Sequence, residues 1–403
     1  MIVNIIGCGP TGMTIAWELS KLDDMEIHMY DKKPGPGGSW WEPDDTRDLH
    51  APRALFKNSY VNFQSLLGEM GIQWSELFGV LPGNTPEFSL FTKLGPLDYW
   101  KLTLLSMKVL ALPHRYLRMS LKDALGEVTP YGGKLLSSLP YIMDGVSWEK
   151  MTAYEFVVSA DWVGLSDIEG QKVSGSVMSR KMENALKARG IHFHYDKEVL
   201  SVAYGKRSHR VMFTDSDETL TGNLLILAVD HGPAKWLVGD NWGADAFYKL
   251  KTTQYQCVTL LIEYEEPIEV KSEFNYVIET PWNMIVTKLS DEKTLSVVMC
   301  DTDAIGNTPP GELVEEMYKQ TGLPRGPVRF CWGSEWDGAR WIHHQTSGVL
   351  GPEQIPFWGE CPTVALCGMM SPRDTPFASI EAAVEVGRRF TSETFGVGKY
   401  SRH

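Results

Sequence analysis

Residues 1–20 read MIVNIIGCGPTGMTIAWELS, and this stretch decides the fold. Ile2 to Ile6 is β-branched and apolar and stops at a glycine, which predicts a short buried strand. From Thr11 onward the apolar residues of TGMTIAWELSKL fall at helical spacing, so Gly7, Gly9 and Gly12 occupy a strand-to-helix turn. A second strand, MEIHMYD, follows and ends on Asp31. A lone G-x-G-x-x-G is a weak signal, but inside such a βαβ unit it is a strong one. Gly7 permits the tight turn, Gly9 lets a pyrophosphate approach the backbone, and Gly12 lets helix and strand pack closely. Pro10 and Thr11 open a helix whose N-terminal amides and partial positive charge suit an anion. Asp31 stands 19 residues after Gly12, where a carboxylate accepts hydrogen bonds from ribose hydroxyls and disfavours a 2′-phosphate. Lys32 and Lys33 keep NADP open at this point.

The remaining composition bounds the answer. A chain of 403 residues, 43% of them hydrophobic, can bury a large core and suggests more than one structural unit. The net charge of −13 repels polyanions, and with no basic patch evident in the sequence it argues against nucleic acid as a partner. The six cysteines lie apart, with no C-x-x-C pair and no Cys/His grouping. That pattern predicts neither a disulfide framework nor a metal site, and it fits a reducing, cytoplasmic compartment. The apolar start runs directly into the glycine turn, so it is read as mature protein, not as a leader. LTLLSMKVLALP, from Leu102 to Pro113, is too short to span a bilayer and is interrupted by Lys108. It is read as a buried helix, with an interfacial or substrate-entry helix as the other reading.

Further along, GSVMSRKMENALKARG predicts an amphipathic helix, IHFHYDKEVLSVAYG and HRVMFTD alternating strands, and NLLILAV a buried strand. Residues 252–300 read as several strands of a second sheet. TVALCG near the end is a strand, and ASIEAAVEVGRRFTSETF a helix with small residues at its start.

Taken together, these pieces resemble the FAD-dependent amine oxidase superfamily, which includes protoporphyrinogen oxidases and carotenoid desaturases. The residues carrying the likeness are the glycine turn, Asp31, the second glycine pair Gly37 and Gly38 with Ser39 in KKPGPGGSWW, the segment HAPRALFKNSYVNFQSLLGEMGI, and the ending CGMMSPRDTPFASIEAAVEVGRRF. The resemblance implies an α/β fold: a Rossmann-like FAD-binding domain with a parallel sheet, plus a mixed-sheet α+β substrate domain. It implies three FAD-binding stretches, 1–98, 172–240 and 359–403, alternating with a mainly helical substrate part, 99–171, and a sheet part, 241–358. Val199 then falls where the family's backbone holds the adenine. Gly368, Phe377, Ala378 and Ser379 fall at the end of the last strand and the start of a helix directed at the flavin. Met369 stands where the family usually has an aspartate on the ribityl chain, which leaves that contact to a backbone amide.

The implied cofactor is FAD. It is expected to be non-covalent, because the surroundings of Cys367 do not match a cysteine attachment. Flavin chemistry needs a positioned C–H bond and a dry site, not a triad or a metal, and no GxSxG, HExxH or Walker sequence occurs. The expected reaction takes a hydride from a small organic substrate, an amine being the first candidate, with reoxidation by oxygen or another acceptor. Lys288 is the candidate partner for flavin N5. Trp336 and Trp341 are candidates for a substrate cage beside Trp332, and His50, with Arg53, is read in a loop near the isoalloxazine. The bland readings are an exposed strand lysine, core tryptophans and a solvated loop. Arg373 and Asp374 read as a surface ion pair. The expected partners are a small-molecule substrate and, in a homodimer, a second copy of the chain, with no integral membrane segment. A redox-neutral flavoenzyme of the UDP-galactopyranose mutase type, a flavin monooxygenase or halogenase, and a non-catalytic nucleotide-binding protein stay open as alternatives.

Overall fold

The computed structural model describes residues 1–43, 53–80, 94–144, 146–163, 168–215, 219–243, 245–269, 277–278, 280–289, 291–343, 346–350 and 353–401. Its centre is a five-stranded sheet in which Val364–Leu366, Leu224–Leu227, Ile2–Ile6 (β1), Glu26–Tyr30 (β2) and His192–His194 lie side by side, all parallel. β1 and Leu224–Leu227 are almost wholly buried and nearly all apolar, as parallel strands covered on both faces must be. One face carries the helices Pro10–Leu19 (α1), Val61–Glu69 (α2), Gly175–Lys187 and Ile380–Phe395. The other is covered by a three-stranded meander, Val199–Tyr204, His209–Phe213 and Thr219–Leu220, whose Val202, Val211 and Phe213 pack with Tyr30 and Leu227.

The register puts the strand ends in one row. Ile6 lies opposite Tyr30 and Leu227, Leu227 opposite Leu366, and Tyr30 opposite His194. Gly7, Asp31, Ala228 and Cys367 therefore emerge together at the carboxyl edge, where open α/β sheets bind ligands.

α1 starts at Pro10, whose missing N–H and fixed φ suit a first helical position, and all ten of its residues are buried. The C-terminal helix crosses it at Gly387, where a Cβ would stand 2.9 Å from the Thr14 side chain. The crossing is held by charge as well as packing. Arg388 Nε lies 3.2 Å from the buried Glu18 carboxylate, and its other nitrogen binds Glu69, which also accepts from Lys21 and from Trp17 Nε1. Burial opposes ionisation of Glu69, yet the hydrogen bonds from Lys21 and Trp17 and the Arg388 charge hold it below the usual carboxylate range.

Two further units stand out among the described residues. Helices Pro96–Ala111, Leu121–Leu125, Pro130–Asp144 and Ala153–Val163 surround a core that includes Leu105, Val109, Leu135 and Phe156. An antiparallel sheet runs in the order Val277–Ile278, Met284–Lys288, Thr294–Met299, Val258–Glu263 and Val328–Phe330. Strand alternation gives this sheet two different faces. Leu260, Met284, Val286, Val297 and Met299 pack under the Pro310–Thr321 helix, and the intervening residues face the opposite way.

Candidate functional site at the meeting of two glycine loops

At the carboxyl edge the two glycine loops touch. Gly37 N–H donates to the Cys8 carbonyl at 2.8 Å, and a Cβ on Gly38 would stand 2.9 Å from Gly9 Cα. Asp31 joins the same knot, one carboxylate oxygen accepting from Cys8 N–H at 2.7 Å and the other from Lys33 N–H at 2.9 Å. A carboxylate has further lone-pair sites, so Asp31 keeps capacity for a ribose hydroxyl.

The glycines of this knot differ in what requires them. Gly7 has φ +108°, and a Cβ on it would lie 2.3 Å from the Ala228 carbonyl oxygen. A Cβ on Gly12 would lie 2.1 Å from the Gly7 oxygen, and one on Gly37 would lie 2.5 Å from Ser179 Oγ. The chain's own packing demands these three. Gly9 is different: its φ is −77°, and a Cβ there would meet nothing nearer than Gly38 Cα at 3.7 Å, an ordinary contact. The space beside Gly9, at the N-cap of α1, is left open by the protein. A pyrophosphate fits it, with the first-turn amides of Thr11 and Gly12 behind it.

The surrounding residues support that edge. Ser39 offers its carbonyl to Arg53, whose guanidinium stacks 4.0 Å from the Trp40 ring. Burial lowers Arg53 to about 10. Lys32 reaches Glu198 at 3.7 Å, and the neighbouring Lys197 N–H donates to the Asp31 carbonyl, so the strand beginning at Val199 lies against Asp31. Gly368 sits under Val229, where a Cβ would lie 2.6 Å from its carbonyl oxygen. Phe377 is buried edge-on to Phe56, Ala378 is half-buried, and Ser379 caps the C-terminal helix by accepting from Ala382 N–H at 3.1 Å. Met369 offers its carbonyl to Arg373 Nε.

Arg373 is not a surface partner of Asp374. It is buried and donates to the carbonyls of Met369, Thr375 and Val349, so it braces the loop before the last helix, while Asp374 pairs with Arg389. Glu385 supports the same loop by accepting from the N–H groups of Asp374 and Thr375.

The expected catalytic side chains divide. His50 lies outside the described residues. Trp341 is a core residue, 7% exposed, with Nε1 donating to the Thr308 carbonyl and its ring against Phe330 and Trp336. Trp336 packs on that same core. Lys288 shares the parity of Met284 and Val286, which places it on the face covered by the Pro310–Thr321 helix, and its Nζ lies 3.6 Å from Glu292. It also stands at the far end of its strand from Met284, about 13 Å away at the rise of an extended chain. The end near Met284 and Val258 is the one close to Trp332, since Cys331 N–H donates to the Thr259 carbonyl.

Trp332 is the tryptophan of this segment that reaches the glycine loops at the carboxyl edge. It meets Trp41 edge-on at 5.3 Å, and Lys33 Nζ lies beside both rings, 5.4 Å and 5.1 Å from their centroids, while donating to the Gly38 carbonyl at 2.7 Å. Burial lowers Lys33 to about 8, against the opposing pull of Asp31. Nothing in the sequence pattern marked this three-residue contact, because its members are some 300 positions apart.

The sheet face turned away from the Pro310–Thr321 helix carries the other residues that the sequence reading missed. Thr287, Ser296 and Leu261 lie in register across three strands. Ser296 is fully buried, and its hydroxyl has no hydrogen-bond partner among the described residues. Val298 and Cys300 on this side pack with Tyr141 of the helical unit. The one available signal was a serine inside the otherwise apolar strand LSVVM.

The fold is that of an α/β protein with a Rossmann-like parallel sheet and an attached antiparallel-sheet unit. Residues 5–69 match the NAD(P)-binding Rossmann-like domain family. No curated protein sequence matches the chain. Among solved structures, a wild-type putrescine oxidase bound to putrescine is 14% identical, with 98% of this chain and 99% of that one aligned and a TM-score of 0.72. A candidate protoporphyrinogen oxidase from Exiguobacterium sp. 255-15 aligns at 12% identity over 97% and 98% of the two chains, with a TM-score of 0.61. An oxidoreductase from Methanosarcina mazei aligns at 14% identity over 96% and 99%, with a TM-score of 0.59. The fold of this chain, across nearly its whole length, is the one these three oxidoreductase structures share.

Proposed function

We propose that the chain is an FAD-dependent oxidoreductase that holds its flavin non-covalently, with the pyrophosphate beside Gly9 and the α1 N-terminus and the adenosine ribose on Asp31. The observation that carries this is the glycine at position 9, which the fold does not require and a bound pyrophosphate does. A bound flavin supplies the hydride acceptor. The chain's own residues bind, orient and exclude water. Lys33, beside the rings of Trp41 and Trp332, closes the nucleotide edge against the sheet unit. Cys367 is buried, and that burial pushes its thiol well above the ordinary range, which keeps it neutral and supports a non-covalent flavin.

The substrate is a small organic molecule carrying an oxidisable C–H bond beside a polar group, an amine being the first to test. The putrescine oxidase of the same fold supports the amine class. The match to a NAD(P)-binding domain favours a nicotinamide dinucleotide as the second reading.

The visible spectrum of the purified protein, followed by heat release and chromatography of the chromophore, separates these readings. A yellow protein releasing FAD, bleached anaerobically by members of an amine panel, is the expected outcome. A colourless protein that takes up NAD and not FAD would overturn the flavin assignment.

A further inference from the structure

The Pro96–Ala111 helix is apolar on two faces. Leu102, Leu105 and Val109 are buried in the helical unit. At 100° per residue, the side opposite them carries Trp100 and Met107, with Leu97 on one flank and Leu110 on the other. Trp100 and Met107 are 59% and 62% exposed, and Leu97, Leu110 and Leu112 are each at least half exposed. A helix apolar all round is ordinarily buried, so this outer face lacks a partner.

Charge identifies that partner. From Pro96 to Lys122 the chain carries Lys101, Lys108, Arg115, Arg118 and Lys122 against a single acid, Asp98, which is buried and bonded to Thr129. Lys101 donates to the Glu127 carbonyl and Lys122 pairs with Glu149. Lys108, Arg115 and Arg118 are exposed and form no ion pair among the described residues. The sequence shows no basic run because these residues are spaced apart. They follow one another within eleven positions at the C-terminal end of the helix and in the turn after it, all exposed, on a protein of net charge −13.

We infer that this face docks on an anionic lipid surface. The helix lies in the interfacial plane with Trp100, Met107 and Leu110 among the acyl chains, and Lys108, Arg115 and Arg118 reach back to the headgroups. The rest of the protein, being acidic, is repelled by such a surface, so attachment is confined to this patch. Among the described residues no helix is long and apolar enough to cross a membrane, and docking needs none.

The test is co-sedimentation of the purified full chain with phosphatidylcholine vesicles and with vesicles that also contain phosphatidylglycerol, at low and raised salt. Binding to the anionic vesicles, weakened by salt, is expected. Lys108→Gln with Arg115→Gln should lower partitioning about twenty-five-fold, at roughly fivefold per cation removed. Trp100→Ser with Met107→Ser should abolish it. Leu97→Ser with Leu110→Ser, on the same helix, serves if that pair fails to fold. Failure of the wild-type chain to bind either vesicle, or binding indifferent to the apolar substitutions, overturns the inference. So does a dimer in light scattering that the apolar substitutions dissociate while vesicles bind nothing, since the occupant is then a second copy.

Discussion

The parallel and antiparallel sheets of this molecule build their halves of the site by different means. At the carboxyl edge of the parallel sheet, position is a backbone matter: Gly7, Asp31 and Ala228 leave adjacent strands in a row, and the turn geometry sets what can sit there. On the antiparallel sheet, position is a matter of side-chain parity. Thr287 and Ser296 face one way and Met284, Val286 and Lys288 the other, and a one-residue change in register would exchange them. Local sequence therefore reports the first half well and the second half poorly.

The sharpest way to break this comparison is within the glycine turn. Gly7→Ala or Gly12→Ala drives a Cβ into a backbone oxygen and should yield no soluble folded protein, read by expression and circular dichroism. Gly9→Ala should fold with a melting temperature close to that of the parent and bind FAD roughly tenfold or more weakly, read by flavin titration. Equal damage at positions 7 and 9 would remove the distinction on which the cofactor site rests.

Next in size is the helix crossing on the parallel-sheet side. Arg388→Met removes the buried cation shared by Glu18 and Glu69, leaving Lys21 as their remaining cationic partner, and should cost about 1.5–3 kcal/mol in denaturant unfolding. Glu381, on the same helix, tests pH. It accepts from Asn62 and from Phe63 N–H at the start of α2, and burial raises it to about 7 against those hydrogen bonds. The folded state thus holds a proton that the unfolded state releases near the ordinary carboxylate value. Stability is expected to fall as pH rises from about 4.5 through about 7, by something on the order of 3 kcal/mol, and Glu381→Gln should flatten that slope.

The smallest effects probe the antiparallel half. Ser296→Ala removes a buried hydroxyl that has no hydrogen-bond partner among the described residues and should leave stability within about 1 kcal/mol of the parent, with little change in flavin binding. Lys288→Met should leave the rate of anaerobic flavin reduction within about twofold of the parent, because its side chain lies on the helix-covered face. A loss of roughly a hundredfold at Lys288 would show that parity misplaces it.

What the sequence by itself determined is the βαβ unit around Gly7, the strand TVALCG that runs up to Gly368, and a helix within ASIEAAVEVGRRFTSETF. Each depends on residues within about 20 positions of one another, where periodicity, glycine geometry and capping act directly. Tertiary structure alone decided that Trp332 rather than Trp336 or Trp341 meets the glycine loops at the carboxyl edge, and that Arg373 turns inward to three carbonyls. It also decided that Lys288 faces away from that edge and that one face of the Pro96–Ala111 helix is left bare. Those outcomes depend on register and on which surfaces distant segments cover, and neither leaves a mark in the local order of residues, because contact between remote side chains is set by the packing of whole elements.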